Sequence, residues 1–451
     1  MTEPTKPQSA QSPDYPPNPR IESLDRRAAW FTQARFGLFI HWGIYAAAAR
    51  HEWVKQRERL TDEQYQPYFD YFDPDLYDPE AWAEAAWNAG MRYVVVTTKH
   101  HDGFCLWDSR LTDYKATNTP YGKDLLRPMV EAFRTRGFRI GFYHSLIDWH
   151  HPQFPVDFLH PQRDDEEFKA AAADRDITVY QEYLHGQVRE LLTDFGRIDI
   201  MWFDFSYPGR GWGAKGREDW RSEELLAMVR ELQPWILVNN RADLGTGPGP
   251  DTGDLTTPEQ VQPTEPVLDD EGNPALWEAC QTLNGSWGYD RDNLDWKAPD
   301  LLLRMLVDNV SKGGNMLLNV GPNARGEFEP RAVETLGAIG AWMRLHEKAI
   351  RGAGPAADLT PPPDCRYTRR GDRLYLHLFA WPMRHVHLPG LAGKVAYARF
   401  LHDASEVRRE EPESSAGGHH TATPGIANAL TLELPVQRPD VTIPVIELFL
   451  K

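Results

Sequence analysis

The fold is decided by residues 93–101, which read YVVVTTKHH. An unbroken run of aromatic and β-branched residues is typical of a strand that is buried on both faces, as strands are in a parallel sheet. Six more stretches have the same character, at residues 35–43, 139–145, 198–205, 235–241, 275–282 and 316–322. We therefore predict seven strands, most of them covered by other parts of the chain on both sides.

Helical patterns lie between these strands. Residues 177–195 place apolar side chains at helical spacing and are followed by Gly196, a residue type common at helix C-termini. Residues 301–312 show the same arrangement and are followed by two glycines. Alternating strands and helices predict an α/β fold with a parallel sheet. Seven or eight such units favour a (β/α) barrel, regular or irregular, over a doubly wound sheet, and no G-x-G-x-x-G motif follows a strand.

Composition divides the chain into three parts. Residues 1–24 hold six prolines among polar residues and predict a disordered or extended arm. Residues 25–351 form the predicted barrel. Residues 352–451 begin with a Gly/Pro-rich linker. Two later stretches, 374–378 and 430–434, place leucine at every second position, which predicts a C-terminal antiparallel β-sandwich. Within it, the polar stretch 403–425 is predicted to be a mobile loop.

The overall composition disfavours several classes of partner. The 451 residues carry a formal net charge of -17, whereas binding to nucleic acid requires a basic surface and binding to an anionic membrane is helped by one. No apolar run reaches the ~20 residues of a membrane span, and the N-terminus lacks the apolar core of a secretory signal. Three widely spaced cysteines match neither a disulfide framework nor a metal site. We therefore expect a cytoplasmic protein with no nucleic-acid or membrane partner.

Polar side chains follow five successive predicted strands. In a (β/α) barrel the carboxyl ends of the strands form the active-site face, so these side chains are expected to converge there. They are His41 and Trp42, His100 and His101, Tyr143 and His144, Trp202 and Asp204, and Asn239, Asn240 and Arg241.

Asp204 is the most informative of these residues. It shares a strand face with Trp202, because residues i and i+2 point to the same side. An isolated aspartate at this point is most often the cap of the following helix. The surrounding aromatic residues and the histidines on other strands favour a catalytic nucleophile instead.

The clustered histidines raise the alternative of a metal site, since zinc and iron are often bound by histidine and carboxylate. His100 and His101 would alternate in direction along a strand, which makes a shared ion awkward. No H-x-H, H-E-x-x-H or cysteine ligand pattern is present. Neutral histidine both donates and accepts hydrogen bonds, which suits sugar hydroxyls. We therefore predict sugar binding, with no metal.

Eight motifs together resemble the α-L-fucosidases of glycoside hydrolase family 29, in the order in which that family carries them. They span roughly residues 30–350, and the predicted sandwich also fits the family. The motifs are ARFGLFIHWG at 34–43, TKHHDGF at 98–104, WFD at 202–204, VNNR at 238–241, TPEQ at 257–260, WE at 277–278, SWGY at 286–289 and SKGGNMLLNVGP at 311–322.

The resemblance implies a retaining exo-hydrolase that removes terminal α-L-fucose from fucosylated oligosaccharides without a cofactor. It implies Asp204 as nucleophile and Glu259 as general acid/base, which must carry a proton before the bond breaks. An oligomer is compatible with it. The residues that match sugar contacts are His41, Glu52, Trp53, His100, His101, Tyr143, His144, Trp202, Arg241 and Trp287.

Two departures and several alternatives accompany this resemblance. Val54 and Asn240 replace the family's usual aromatic residue and aspartate. The acid/base has three rivals in Glu52, Glu265 and Glu278. Residues 257–259 also match a helix N-terminus, with threonine as cap and proline in the first turn. The alternative functions are an α-L-galactosidase of the same fold, a metal-dependent barrel hydrolase and a non-catalytic fucose lectin.

Overall fold

The computed structural model describes residues 23–411 and 428–451. All but the last two residues of the predicted N-terminal arm lie outside the described residues. The same holds for residues 412–425 of the predicted loop 403–425.

Eight parallel strands form one sheet, in the order β5-β4-β3-β2-β1-β8-β7-β6. An isolated parallel bridge between Asn239 and Leu255 joins the two ends of this order and closes the barrel. The predicted (β/α) barrel is therefore confirmed. The strands are β1 Phe36–Ile40, β2 Tyr93–Lys99, β3 Arg139–Ser145, β4 Ile200–Asp204, β5 Leu237–Val238, β6 Leu255–Thr256, β7 Leu276–Thr282 and β8 Asn315–Val320.

Seven of the eight strands coincide with predicted ones, and β6 is the strand that the sequence did not predict. It has two residues and follows a Gly/Pro-rich segment, so no apolar run marks it. β5 is also only two residues long, although a longer stretch, 235–241, was predicted. These two strands are held by neighbouring segments more than by their own residues.

Helices surround the barrel, and four of those in the described residues, α4, α5, α7 and α8, begin at a side-chain cap. α8 covers the predicted pattern almost completely, and the Asp176 side chain caps it by accepting from the backbone N–H of Thr178. α11 begins at Pro299, where proline's missing N–H costs nothing. The helices are α1 Leu24–Ala34, α2 Tyr45–Ala48, α3 Val54–Arg57, α4 Asp62–Asp70, α5 Pro79–Asn88, α6 Leu126–Thr135, α7 Glu166–Ala171, α8 Ile177–Asp194, α9 Arg217–Trp220, α10 Ser222–Leu232, α11 Pro299–Ser311 and α12 Pro330–His346.

The barrel interior is filled by side chains from successive strands, including Phe39, Tyr93, Tyr143, Trp202 and Leu317. Large rings fit there because small residues face them. A Cβ at Gly37 would lie 2.4 Å from the ring of Tyr93, so β1 needs glycine at that point. This packed floor supports whatever lies at the strand ends above it.

The C-terminal part is the predicted β-sandwich, with one sheet in the order β12-β15-β10-β9 and another in the order β11-β14-β13. Leu374 and Leu376 are fully buried between the sheets, as their alternation predicts, but His377 is also buried. Its ring lies 6.4 Å from Trp342 of α12, since the outer face of β10 packs on the barrel. The strands are β9 Cys365–Arg370, β10 Arg373–Leu378, β11 His385–Pro389, β12 Val395–Phe400, β13 Arg408–Glu410, β14 Ala429–Glu433 and β15 Val445–Leu450.

Two further observations concern membrane spans and cysteines. Across residues 23–411 and 428–451, no helix combines the length and the apolar character needed to cross a bilayer. Cys105, Cys280 and Cys365 are all buried free thiols.

The closing point of the barrel depends on a buried carboxylate just before β6. Asp254 accepts from the guanidinium of Arg27 at 2.6 and 2.9 Å, from Arg230, and from the backbone N–H of Val238 on β5. All three charged side chains are at most 2% exposed. Asp254 therefore joins α1, α10, β5 and β6.

We expect Asp254→Asn to lower the free energy of unfolding by about 3–5 kcal/mol, because two buried guanidinium groups lose their carboxylate. Urea denaturation of the purified protein measures this difference. The control is Asp75→Asn, which removes the carboxylate of a surface pair with Arg325 and should change stability little. Equal effects of the two substitutions would contradict a special role for Asp254.

Candidate active site

A cavity opens at the carboxyl ends of the barrel strands. Ten of its lining residues are polar or aromatic side chains that the sequence analysis named, and Phe39 and Phe205 complete an apolar part of the wall. The lining consists of Phe39, His41, Trp53, His100, His101, Tyr143, Trp202, Asp204, Phe205, Arg241, Glu259 and Trp287.

Asp204 is the last residue of β4 and is largely buried. Its Oδ2 accepts from the Tyr143 hydroxyl at 2.8 Å, and its Oδ1 accepts from Arg241 Nη1 at 2.8 Å. Both oxygens are thus bound by side chains of the cavity, which favours the nucleophile hypothesis over a helix cap. Burial raises the pKa of Asp204 above its usual range, and the charge of Arg241 opposes that rise.

Glu259 follows β6 in an extended segment that pairs with β7. The backbone N–H of Cys280 donates to the Pro258 carbonyl, and the N–H of Gln260 donates to the Cys280 carbonyl, both at 3.0 Å. The helix N-terminus considered for residues 257–259 is therefore wrong, since these backbone groups are used in sheet pairing. The Glu259 side chain is 41% exposed, compared with 11% for Asp204.

One guanidinium nitrogen connects the two carboxylates. Arg241 Nη1 lies 2.8 Å from Asp204 Oδ1 and 2.7 Å from Glu259 Oε2, so these two oxygens are at most 5.5 Å apart. Retaining glycosidases place their two carboxyl groups about 5–5.5 Å apart, whereas inverting enzymes need about 6.5–9.5 Å. The spacing fits a retaining mechanism.

The Arg241 side chain is held in place by Thr257 and by the ring of Trp202. Its Nε donates to Thr257 Oγ1 at 2.9 Å, and its guanidinium carbon lies 4.4 Å from the centre of the Trp202 ring. Burial acts to lower the pKa of Arg241, but the neighbouring acidic groups, chiefly Asp204 and also Glu259, together outweigh burial and raise it. Arg241 therefore remains a fixed positive charge between two acids.

Two of the cavity histidines have their tautomers set by neighbours. Asn319 Nδ2 donates to the Trp287 carbonyl, so its Oδ1 accepts from His41 Nδ1 at 2.7 Å. Ser145 Oγ donates to the carbonyl of Ile147 and accepts from His101 Nδ1, also at 2.7 Å. In each neutral ring Nε2 is left as an acceptor for a ligand hydroxyl.

Burial keeps these rings uncharged. It lowers the pKa of His41 to about 3 and the pKa values of His100 and His101 well below the usual range. The buried Nδ1 of His100 has no hydrogen-bond partner among the described residues. Neutral rings with open polar atoms match the sugar-binding prediction.

His100 and His101 both line the cavity, although strand alternation predicted opposite directions. β2 ends at Lys99, after an irregularity in its pairing with β3, so alternation no longer applies to the two histidines. Their ring centres are 3.9 Å apart. Even so, no group of three His, Cys, Asp or Glu side chains within the described ranges has an arrangement suited to a metal ion.

Aromatic rings form the walls between the polar groups. The ring centres of Trp287 and His41 are 5.1 Å apart, and the Phe39 ring packs against both. Trp53 lies 4.9 Å from His101 on another side of the cavity. The sequence analysis missed Phe39 as a lining residue. Phe39 lies on β1 two residues before His41, which directly follows the strand, and this spacing places both side chains on the same side.

Two predicted sugar contacts, Glu52 and His144, do not reach the cavity. Glu52 is fully buried, its Oε2 accepts from the backbone N–H of Gly288 at 2.7 Å, and burial raises its pKa to about 7. His144 follows Tyr143 and points to the other face of β3, where its Nδ1 lies 2.9 Å from Thr98 Oγ1. Both side chains therefore support the site from behind.

The other two rivals of Glu259 also lie outside the cavity lining. Glu278 is fully buried beneath it and accepts from the Tyr93 hydroxyl at 2.7 Å and from Trp202 Nε1 at 3.1 Å. Burial raises the pKa of Glu278 to about 7. Glu265 is exposed on the loop after β6. Of the four glutamates considered, Glu259 is the one that shares a cavity wall with Asp204.

Comparison with known proteins agrees with this geometry. Residues 4–348 match the family model described as alpha-L-fucosidase. The tissue alpha-L-fucosidase of Bos taurus is 31% identical over 398 residues, which cover 82% of this chain and 78% of that protein.

Solved structures are similar over nearly the whole chain. Alpha-L-fucosidase isoenzyme 1 from Paenibacillus thiaminolyticus superposes with a TM-score of 0.88 at 48% identity, covering 95% of this chain and 99% of that one. A family 29 alpha-L-fucosidase from Bacteroides thetaiotaomicron, trapped as a covalent intermediate with 2-fluoro-fucosyl fluoride, superposes with a TM-score of 0.80 at 28% identity, covering 96% and 98%. The chain belongs to the alpha-L-fucosidase family, glycoside hydrolase family 29.

Proposed function

We propose that this protein is a retaining exo-α-L-fucosidase that removes terminal α-L-fucose from fucosylated oligosaccharides. The observation that carries this function is the single Arg241 nitrogen that holds Asp204 and Glu259 at most 5.5 Å apart. The trapped covalent intermediate of the Bacteroides relative supports the same stereochemical course.

Two steps follow from this geometry. Asp204 attacks the anomeric carbon while Glu259 donates a proton to the departing oxygen, which leaves a fucosyl ester on Asp204 and an alcohol. Glu259 then takes a proton from water, the water oxygen attacks the anomeric carbon, and the Asp204 carboxylate is released. After the second step Asp204 is again a carboxylate and Glu259 again carries a proton. Two successive displacements at the anomeric carbon retain its configuration.

The environments of the two acids suit these different roles. Tyr143 and Arg241 donate to Asp204, which stabilises its carboxylate despite burial. Glu259 lies at the more open side of the cavity, where a leaving group and then water can reach it. Aromatic rings form much of the cavity wall around the two acids, which agrees with an exo-acting enzyme that binds one terminal sugar.

The paired carboxylates and the family favour hydrolysis of α-L-fucosides over the galactosidase, metal-dependent and lectin alternatives. The neutral histidines supply hydrogen bonds to hydroxyl groups, and they accelerate the reaction where those bonds strengthen in the transition state. The cytoplasmic location and the oligomeric state stay predictions.

We expect Asp204→Ala to abolish release of nitrophenol from 4-nitrophenyl α-L-fucoside, since no nucleophile remains. Azide fits the space left by the carboxylate and should restore turnover, with β-L-fucosyl azide as the product of one inverting displacement. The anomeric configuration is read by nuclear magnetic resonance. An α-configured azide, or full activity without azide, would exclude Asp204 as nucleophile.

Glu259→Ala should lower kcat/KM for a substrate with a poor leaving group by about 10²–10⁴-fold, because proton donation is lost. Fucosyl fluoride, whose leaving group needs no proton, should be affected far less. Glu265→Ala is the matched control, since it removes another acid of the same loop. If Glu265→Ala shows the larger selective loss, the acid/base assignment must move to that residue.

Tyr143→Phe removes one donor to the Asp204 carboxylate while keeping the ring. The charged form of Asp204 is then less stable, so its pKa rises further and the acidic limb of the kcat/KM–pH profile moves to higher pH. A hydrogen bond to a charged group contributes about 1.5–3 kcal/mol, which corresponds to a shift of about 1–2 pH units. Tyr65→Phe, which breaks a buried Tyr–Asp bond away from the cavity, should leave this limb in place.

A further inference from the structure

The backbone turns sharply immediately after Glu259. Gln260 has a φ of 52°, in the left-handed region that residues with a Cβ rarely adopt. Such a conformation persists where surrounding contacts hold it. The direction of the Glu259 side chain therefore depends on what fixes the following residues.

Residues 260–263, which we call the Glu259 segment, directly follow that residue. The first two of them are bound to the end of β7 and the loop after it. Gln260 Oε1 accepts from Thr282 Oγ1 at 2.9 Å, and its Nε2 donates to the Gly285 carbonyl. Gln281 Nε2 donates to the carbonyl of Val261 at 3.1 Å. These contacts hold one side of the segment to the barrel.

The next residue, Gln262, connects the segment to α11. Its Nε2 donates to Asp308 Oδ2 at 2.8 Å and also to Asn309 Oδ1. Lys312 Nζ donates both to Asp308 Oδ2, at 2.7 Å, and to the Pro263 carbonyl, at 2.6 Å. Asp308 is thus the point at which the Glu259 segment meets a long helix.

The second oxygen of Asp308 is bound by the sandwich. Arg366 on β9 donates from Nε to Asp308 Oδ1 at 2.6 Å. The Asp308 side chain is 8% exposed, and its three donors hold its pKa below the usual range although burial acts to raise it. A continuous chain of charge-assisted hydrogen bonds therefore runs from β9 to a residue three positions after Glu259.

We propose that the C-terminal sandwich positions the catalytic acid/base, with Arg366, Asp308 and Gln262 as positioning residues that act through Glu259. Proton donation requires the acid oxygen within about 2.6–3.2 Å of the departing oxygen. The Glu259 carboxylate has Arg241 as its hydrogen-bond partner, which also serves Asp204. Its position therefore depends on the backbone segment that Gln262 ties to Asp308. This inference rests on the acid/base role of Glu259 proposed above.

The test compares two substrates that differ in their need for a proton. Gln262→Leu and Arg366→Leu should lower kcat/KM for phenyl α-L-fucoside by roughly 10–100-fold, the loss expected from a misplacement of about 1 Å. For α-L-fucosyl fluoride, kcat/KM should stay close to that of the parent enzyme. Arg366→Lys keeps the charge and should recover much of the phenyl fucoside activity.

Arg304→Leu is the matched control within the same domain contact. Arg304 lies on α11 and donates to the Phe379 carbonyl of the sandwich, but Arg366 and not Arg304 binds Asp308. This variant should leave the ratio between the two substrates unchanged. Thermal unfolding of every variant verifies that the compared proteins are folded.

A second measurement separates positioning from general support. In a Glu259→Ala background, Gln262→Leu should cause no further loss on phenyl α-L-fucoside, because the group that it positions is gone. Equal losses on both substrates, a loss that persists without Glu259, or unchanged kinetics of Arg366→Leu would each overturn the proposal. A parent enzyme that cleaves neither fucoside would instead refute the proposed function.

Discussion

The ion pair of Arg241 with two acids is the constraint on which the rest of the site depends. Two carboxylates at most 5.5 Å apart repel each other, and Asp204 is largely buried, where an isolated charge is costly. The guanidinium between them offsets both effects and fixes their spacing. The Trp202 ring beneath Arg241 and the Thr257 hydroxyl beside it keep that cation in place. The chemistry of both acids therefore follows from the position of one arginine.

The barrel supplies this position through its packed interior. Trp202 is held by Glu278, which also binds Tyr93, so a buried carboxylate fixes the ring on which Arg241 lies. Above this floor, the chain turns away directly after each acid: Phe205 has a φ of 75° and Gln260 a φ of 52°. Left-handed residues cost about 1–3 kcal/mol each and cluster at functional sites. Here they end each extended segment at the carboxylate, so that both acids face the cavity.

The sequence predicted the strands that consist of unbroken apolar runs and the polar residues that follow those strands. β1 to β4, β7 and β8 were visible, and so were Asp204, Arg241 and the cavity histidines. β6 was not, because its two residues pair only in the closed barrel. The direction of His100 and His101 depends on where β2 ends, and the pairing of residues 258–260 with β7 depends on a tertiary contact. Motif position likewise did not reveal that Glu52 and His144 lie behind the cavity wall.

The two shortest strands, β5 and β6, lead directly to Arg241 and Glu259. A two-residue strand contributes few ladder hydrogen bonds, so this part of the barrel takes its rigidity from side chains instead. Asp254 joins the strands at their start, and Gln262 with Asp308 fixes the chain beyond Glu259. Most of the cavity lining, in contrast, comes from the longer strands β1 to β4 and the residues that directly follow them. The positioning that we propose for Gln262 and Asp308 therefore predicts that substitutions around α11 and the sandwich change proton donation and leave sugar recognition intact.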